Sequence, residues 1–296
     1  MKVILKKEVK GHFLLFLITV LISAFFQITT ILGFYINVKM YKPLRINALS
    51  KDQIELLLNM LKLFSEPKNV FATSFYAGST VVVIAMIVLG VSIWDSEIKN
   101  HTAEFLFSSG MSHSKIVLAK FVSGSVIVGV ITLVLCAVSA AMMSVVYSKV
   151  PDFTSFAVQI GIVPPRSFNP GGLFIFKAAA MYFLGAELIF AISFVFAFIF
   201  LKKAWVQKAV IPFVIYLIWG VFWNMLFGYP NSVTKKFHKG ILLSSKWLWK
   251  FSFNSLYFSQ QATKPFEIAF GASIAFAVLC ILNFFLLNMF EKIDKV

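Results

Sequence analysis

Six stretches of the chain are predominantly apolar over roughly 20 residues or more: about 13 to 37, 71 to 94, 115 to 147, 173 to 201, 209 to 228 and 268 to 290. A helix rises about 1.5 Å per residue, so each stretch is long enough to cross a hydrocarbon layer about 30 Å thick. The pattern predicts an all-α integral membrane protein, one transmembrane domain over 1–296 with six spans. Spans three and four have length to spare for tilt, whereas the fifth is close to the minimum. In the loop before span two, residues 50 to 64 begin with Ser50, a residue type suited to an N-cap. They then place Ile54, Leu57, Leu58 and Leu61 at helical spacing, with Lys51, Asp52, Glu55 and Lys62 between them. This predicts a short amphipathic helix on the outer leaflet. The run from Lys246 to Phe253, with Trp247 and Trp249, reads as an interfacial anchor, and Pro164-Pro165 with Asn169 to Gly172 as an irregular turn before span four.

Composition agrees with lipid as the solvent. Apolar residues make up 59% of the 296 positions and charged ones only 13%, about half the share a soluble domain uses to cover its surface. The 35 Phe residues point the same way, because exposed rings are favourable against acyl chains. Lys2, Lys6, Lys7 and Lys10 precede the first apolar run as they would in a signal peptide, but that run is longer than an h-region and no small-residue cleavage site follows, so we read a retained span. The net charge of +15 belongs to loops beside the spans, and no aromatic-plus-basic module for nucleic acid accompanies it. Lysine far outnumbers arginine, which fits an AT-rich bacterial genome. Cys136 and Cys280 sit inside apolar runs, and His12, His101, His113 and His238 are dispersed, so neither a disulfide framework nor a metal site is expected.

Charge density sets the sidedness. With a cytoplasmic amino terminus, the inner segments hold ten lysines in about 45 residues, whereas the outer segments hold 14 basic residues in about 97. The denser side is inside, which places both termini in the cytoplasm and the chain in the cell membrane.

Between spans two and three the chain runs from Asp95 through Glu97, Thr102, Glu104, Phe105 and Leu106 to Gly110, Ser112 and Lys120. Thr102 can cap a helix whose first turn holds Glu104, where the helix dipole favours an anion; Gly110 suits the exit, and Ser112 can open the next helix. Phe105, Leu106 and Phe107 then need a cover on the cytoplasmic face. This segment resembles the membrane subunits of ABC-2 type transporters, six-span permeases driven by separate ATPase subunits. Those carry a Glu after span two, then a Gly-Thr pair, a Glu two residues on, an aliphatic pair, a Pro-x-Ser-Arg-like turn and a Lys inside span three. Glu97, Thr102, Glu104, Leu106, Ser112 and Lys120 fall at the corresponding places, while His101, Phe105, Gly110 and His113 depart from the pattern. The motif covers about 26 residues; the six-span layout and Lys6-Lys7-Glu8 ahead of span one extend the likeness along the chain.

The resemblance implies a coupling helix over about Thr102 to Ser109 docked on an ABC ATPase subunit, an interfacial elbow helix over residues 1 to 12, and a second permease copy or a related chain as partner. Its coupling residues would be Glu97, Thr102, Glu104, Phe105, Leu106, Ser112 and Lys120. ATP and Mg would belong to the ATPase, since this chain has no Gly-x-x-x-x-Gly-Lys-Ser/Thr loop and binds no cofactor of its own. Export is the family expectation. The aromatic spans and outer amphipathic elements suit an amphiphilic cargo such as an antimicrobial peptide, a lipid or a drug.

Within the spans, Glu187 is the most expensive residue. Twelve Leu, Ile, Phe and Val residues between Ala178 and Phe200 contribute about −5 kcal/mol to insertion against about +3 for a central acid, so the span is tolerated. Intramembrane acids face the bundle interior and find partners. Lys177 is about 15 Å away along the helix, and Asn224 or Asn283 is the expected partner. Glu187, Gln27, Asn224 and Asn283 are therefore candidates for a transport pathway, with Thr29 and Thr30 beside Gln27, and structural hydrogen bonding as the competing role. Ser125 and Gly129 read as small residues permitting helix contact. The alternative function is a proton- or ion-coupled carrier using Glu187. No nucleophile-and-base set or paired acids point to an enzyme.

Overall fold

The computed structural model describes residues 2–40, 66–99, 112–148, 170–200, 203–223 and 248–293, and every regular element among them is helical. In chain order these are α1 (Lys2–Gly11), α2 (Phe13–Met40), α3 (Pro67–Tyr76), α4 (Ser79–Lys99), α5 (His113–Ser148), α6 (Gly172–Ile199), α7 (Trp205–Tyr216), α8 (Phe253–Tyr257) and α9 (Pro265–Ile293). Six stretches are long and apolar enough to cross a membrane, as the sequence predicts. The amphipathic segment 50 to 64 and the Pro164-Pro165 turn lie outside the described residues.

Helix α6 is the core of the bundle. It is apolar around its whole circumference, as suits a helix surrounded by other helices or lipid, and most of its residues from Ala178 to Phe198 are buried. Helices α4, α5, α7, α8 and α9 pack around it. The α4–α6 contact is the closest. A methyl group at Gly90 would stand 2.7 Å from Ser193 Cβ and 2.8 Å from the Phe194 backbone nitrogen, so the two helices touch through backbone. Helices α2, α7 and α9 are peripheral, and their large apolar side chains, such as Phe25, Phe213 and Phe276, face outward where lipid would lie.

Two spans depart from the uninterrupted helices expected. The second is broken into α3 and α4 at Ala77-Gly78, where Gly78 takes φ +82°, a conformation costly for any residue with a Cβ. The break lets the chain pass close to α2: a Cβ on Gly78 would meet Ser23 Cα at 3.2 Å. Gln27 seals the break by donating from Nε2 to the Phe75 carbonyl at 3.1 Å, one of the acceptors released near the end of α3. The fifth span contains Pro212 and then widens into a π-helix over Leu217–Phe222. Proline removes one backbone donor and crowds the preceding turn, so the span is locally interrupted twice.

Of the run read as an interfacial anchor, the side chains of Trp247 and Trp249 lie outside the described residues, while Phe253 at its end is buried. Phe253, Leu256 and Tyr257 are fully buried, packed in α8 against α6, α7 and α9 rather than at a lipid surface. Ser252 caps α8 by accepting from the Ser255 amide at 3.1 Å, and the Tyr257 hydroxyl donates to the Gly271 carbonyl at 2.7 Å. Gly185 and Gly271 leave room for the Tyr257 ring.

Gly90→Ala should therefore lower the unfolding midpoint in detergent by an amount equivalent to about 1–3 kcal/mol of overpacking. Gly33→Ala, where nothing lies within 4 Å, should not. Equal midpoints for the two variants would contradict the close α4–α6 contact.

Candidate functional site

Two polar clusters interrupt the apolar bundle. The larger lies where α1, the end of α4, the start of α5 and the start of α7 meet, at one end of the bundle. Lys120, seven residues into α5, is fully buried. Its Nζ donates to Glu8 Oε1 of α1 at 2.5 Å and to the Ile93 carbonyl of α4 at 3.3 Å, and stands 5.5 Å from the centre of the Trp94 ring. Three kinds of stabilisation thus converge on one cation: a carboxylate, a carbonyl dipole and an aromatic face.

Glu8 is held from a second side. His12, one turn further along, places Nε2 3.4 Å from Glu8 Oε2, while its Nδ1 lies 3.4 Å from Ser92 Oγ of α4. Burial alone would push the Glu8 carboxyl up, but hydrogen bonding to His12 and the charge and hydrogen bond of Lys120 outweigh it and hold the group below its usual 4.5. Nearby, Lys208 of α7, also fully buried, donates to Asp95 of α4 at 3.0 Å. Lys208 is therefore not one of the surface cations of the inner face, as its place in the sequence suggests. Its side chain turns back into the bundle to meet an acid 113 residues away.

The second cluster is in the middle of α6. Glu187 is buried, and Ser125 of α5 donates to its Oε1 at 2.5 Å. The Ser125 hydroxyl also lies 3.1 Å from the Phe121 carbonyl, so this serine links the acid to the backbone of its own helix. Glu187 Oε2 has no hydrogen-bond partner among the described residues. The expected partners are not the ones found: Asn283 is exposed on α9, Asn224 lies outside the described residues, and Ser125 has the role of donor rather than of a small packing residue. Sequence spacing carried one usable signal for it: Ser125 lies 12 residues after the start of α5 and Glu187 12 residues before the end of α6, at matching depth in two consecutive spans.

The remaining expected site residues divide as follows. Gln27 is buried and donates to the Phe75 carbonyl of α3, whereas Glu187 accepts from α5, so the two make their described hydrogen bonds with different helices. Thr29 and Thr30 return their hydroxyls to carbonyls of their own helix, at Phe25 and Phe26. Ser112 precedes α5, and its carbonyl accepts from the Lys115 amide at 2.9 Å, which suits a residue that opens a helix. The side chain of Glu97, and all of Thr102, Glu104, Phe105 and Leu106, lie outside what the structure describes. Lys120, expected inside span three, is an interior cation bound to Glu8 of α1. Glu8, His12, Asp95 and Lys208, none of them expected as site residues, complete the inner cluster. Among the described residues no group of three His, Cys, Asp or Glu side chains could hold a metal ion.

The chain matches no family model, no curated protein and no solved structure.

Removing one partner of a buried ion pair leaves an uncompensated charge, at a cost of about 3–5 kcal/mol, whereas removing both is far milder. Glu8→Gln and Lys120→Met should each lower the unfolding midpoint strongly, and the double variant should recover much of the loss. Strict additivity would mean that the pair is not coupled. Because folding lowers the Glu8 carboxyl below 4.5, its stabilisation is complete above that pH and fades as the pH falls through the folded value. Glu8→Gln should accordingly flatten the acid limb of a stability profile measured below about pH 4.5.

Proposed function

We propose that the chain is the permease subunit of an ATP-driven exporter, with both termini in the cytoplasm. It would work with a separate ABC ATPase that holds ATP and Mg, and with a second permease copy or related chain. The six spans support a membrane role, and the segment between α4 and α5 carries the ABC-2-like spacing of Glu97, Thr102, Glu104, Leu106, Ser112 and Lys120.

One observation favours this reading above others: the two helices that flank residues 100–111 are cross-tied at their inner ends. Lys120 at the start of α5 grips Glu8 of α1 and the Ile93 carbonyl of α4, and Asp95 of α4 grips Lys208 of α7. A push on the segment between α4 and α5 would then reach α1, α4, α5 and α7 together. In a low-dielectric setting such ties are hard to break singly. This is the mechanical requirement on a subunit moved by a motor that it does not contain, where binding energy at one place biases a packing elsewhere. The cargo expected is amphiphilic, such as a peptide, a lipid or a hydrophobic drug.

The test is reconstitution with candidate ATPases, beginning with one encoded beside this chain. Glu104→Lys or Phe105→Ala should abolish stimulation of the ATPase by the permease while leaving membrane insertion intact. Unchanged co-purification and turnover in both variants would sink the assignment.

A second reading has one observation in its favour: Glu187 is an intramembrane acid with an unpartnered oxygen inside the bundle. In a proton- or ion-coupled carrier it would be the coupling group, and transport would run on an ion gradient without ATP. Glu187→Gln separates the two. Under the exporter reading ATP-dependent transport persists, and under the carrier reading gradient-driven transport ends.

A further inference from the structure

We infer that the bundle holds a closed hydration pocket, filled by a small cluster of ordered water, where α2, α3, α5 and α6 meet beside the break in span two. This does not rest on the proposed function, because it follows from hydrogen-bond accounting. The common solution for a buried hydroxyl elsewhere in the bundle is a protein carbonyl. Thr19, Ser123, Thr132 and Ser193 each donate to the carbonyl four residues earlier in their own helix, Ser74 to the one three earlier, and Tyr257 to the Gly271 carbonyl. Four hydroxyls depart from it. Ser23 of α2, Ser139 of α5 and Tyr182 of α6 are fully buried, the hydroxyl oxygen of Tyr76 in α3 is enclosed as well, and none of the four has a hydrogen-bond partner among the described residues. Gln27 Oε1, one turn from Ser23 on the same face of α2, is likewise buried and unpartnered among the described residues.

These five groups converge from four helices. The Tyr76 and Tyr182 rings stack at 14° with centroids 6.1 Å apart, and their hydroxyls are within electrostatic reach of each other. The Tyr76 hydroxyl is also within reach of the Cys136 thiol, and Ser139 follows Cys136 by three residues on one face of α5. From the other side, Gln27 donates from Nε2 to the Phe75 carbonyl, and Ser23 packs against Gly78, where a Cβ would stand 3.2 Å from its Cα. Gln27 and Ser139 each lie 19 residues beyond the Glu8–Lys120 contact, along helices that pack together, so they reach a similar depth. Buried polar atoms without a protein partner are costly, and in native interiors ordered water meets them. The chemistry of the set selects water. All five groups are uncharged: four hydroxyls that both donate and accept, and one amide oxygen that accepts. A metal cation would bind the oxygens but take up none of the four protons, and a hydrocarbon chain would satisfy nothing. About two waters, at roughly three hydrogen bonds each, meet the whole set. Water here also borders Ala77-Gly78, where span two gives up regular backbone bonding, the kind of interruption that ordered water makes tolerable within a membrane.

The full-length chain in nanodiscs is exposed to short synchrotron X-ray pulses, which split bound water into hydroxyl radicals that oxidise the side chains beside it. The products are read peptide by peptide by mass spectrometry. Tyr257 is the internal reference, since it is as buried as Tyr182 but its hydroxyl is bonded to protein. Tyr76 and Tyr182 should be oxidised several-fold faster than Tyr257. After rapid mixing into water carrying heavy oxygen, they should still incorporate light oxygen when exposed residues already carry the heavy isotope, because enclosed water exchanges slowly. Equal rates at the three tyrosines overturn the inference, as does immediate uptake of heavy oxygen, which would place the water outside a closed pocket. Combining Ser139→Ala with Tyr182→Phe removes two of the five groups, and Tyr76 oxidation should then fall toward the Tyr257 rate. Unchanged Tyr76 oxidation in the folded variant overturns the inference too, and if that variant fails to fold the wild-type comparison decides alone.

Discussion

A lysine with no exposed surface has to be solvated by protein, and at Lys120 that necessity organises one end of the molecule. An ammonium removed from water without compensation is prohibitively costly, and lipid offers no remedy. Glu8, the Ile93 carbonyl and the Trp94 ring supply the compensation, and they come from two other helices. The amino-terminal helix is thus held to the bundle by the electrostatic demand of a residue 112 positions away, and His12 extends the hold to Ser92. The Asp95–Lys208 pair repeats the device for α7. Both pairs exchange a solvation problem for a specific contact, so helix position at this end is set by charge and not by the nonspecific packing of apolar faces.

Much of the architecture was legible because the membrane imposes a simple length rule. Runs of apolar residues beginning near Phe13, His113 and Gly172 could be nothing shorter than spans, and the helices found there begin within a few residues of expectation. What failed was local. Tyr76-Ala77-Gly78-Ser79 is a short, less apolar interruption within a run long enough to span, so a rule based on length passes over the break, which becomes apparent when α2 is seen passing close to Gly78. Phe253 ends a run whose composition is the same for a lipid interface and an aromatic pocket. The partners of Lys120 and Lys208 were hidden for a different reason: a salt bridge across more than a hundred residues leaves no periodic mark. Lys120 was singled out by its place in a spaced motif, yet its role as an interior cation follows from geometry alone.

The centre of the bundle is built on another principle. There α6 is enclosed by its neighbours, and close backbone approach at Gly90 leaves little room for rearrangement. Phe190 and Phe194 pack tilted and edge-on against Phe121, and Trp94 lies against Phe194 and Phe198, so aromatic packing connects the middle of the bundle to the charge cluster at its end. Glu187 sits within this rigid part, one turn from Phe190 and bonded to Ser125. Its neighbours are therefore fixed side chains, and any change in its hydrogen bonding would be felt by α5 directly.

The fifth span is fastened at two heights. Near its start Lys208 is bound to Asp95, and eleven residues later the Trp219 indole donates to the Phe251 carbonyl of the tucked segment before α9. Pro212 and the π-turn at Leu217–Phe222 fall in or beside the interval between those anchors. A rod clamped at two points and weakened between them has its compliance in one known place. Displacement of either clamp is therefore taken up first as bending at the proline and the π-turn, where the regular backbone hydrogen bonding is interrupted.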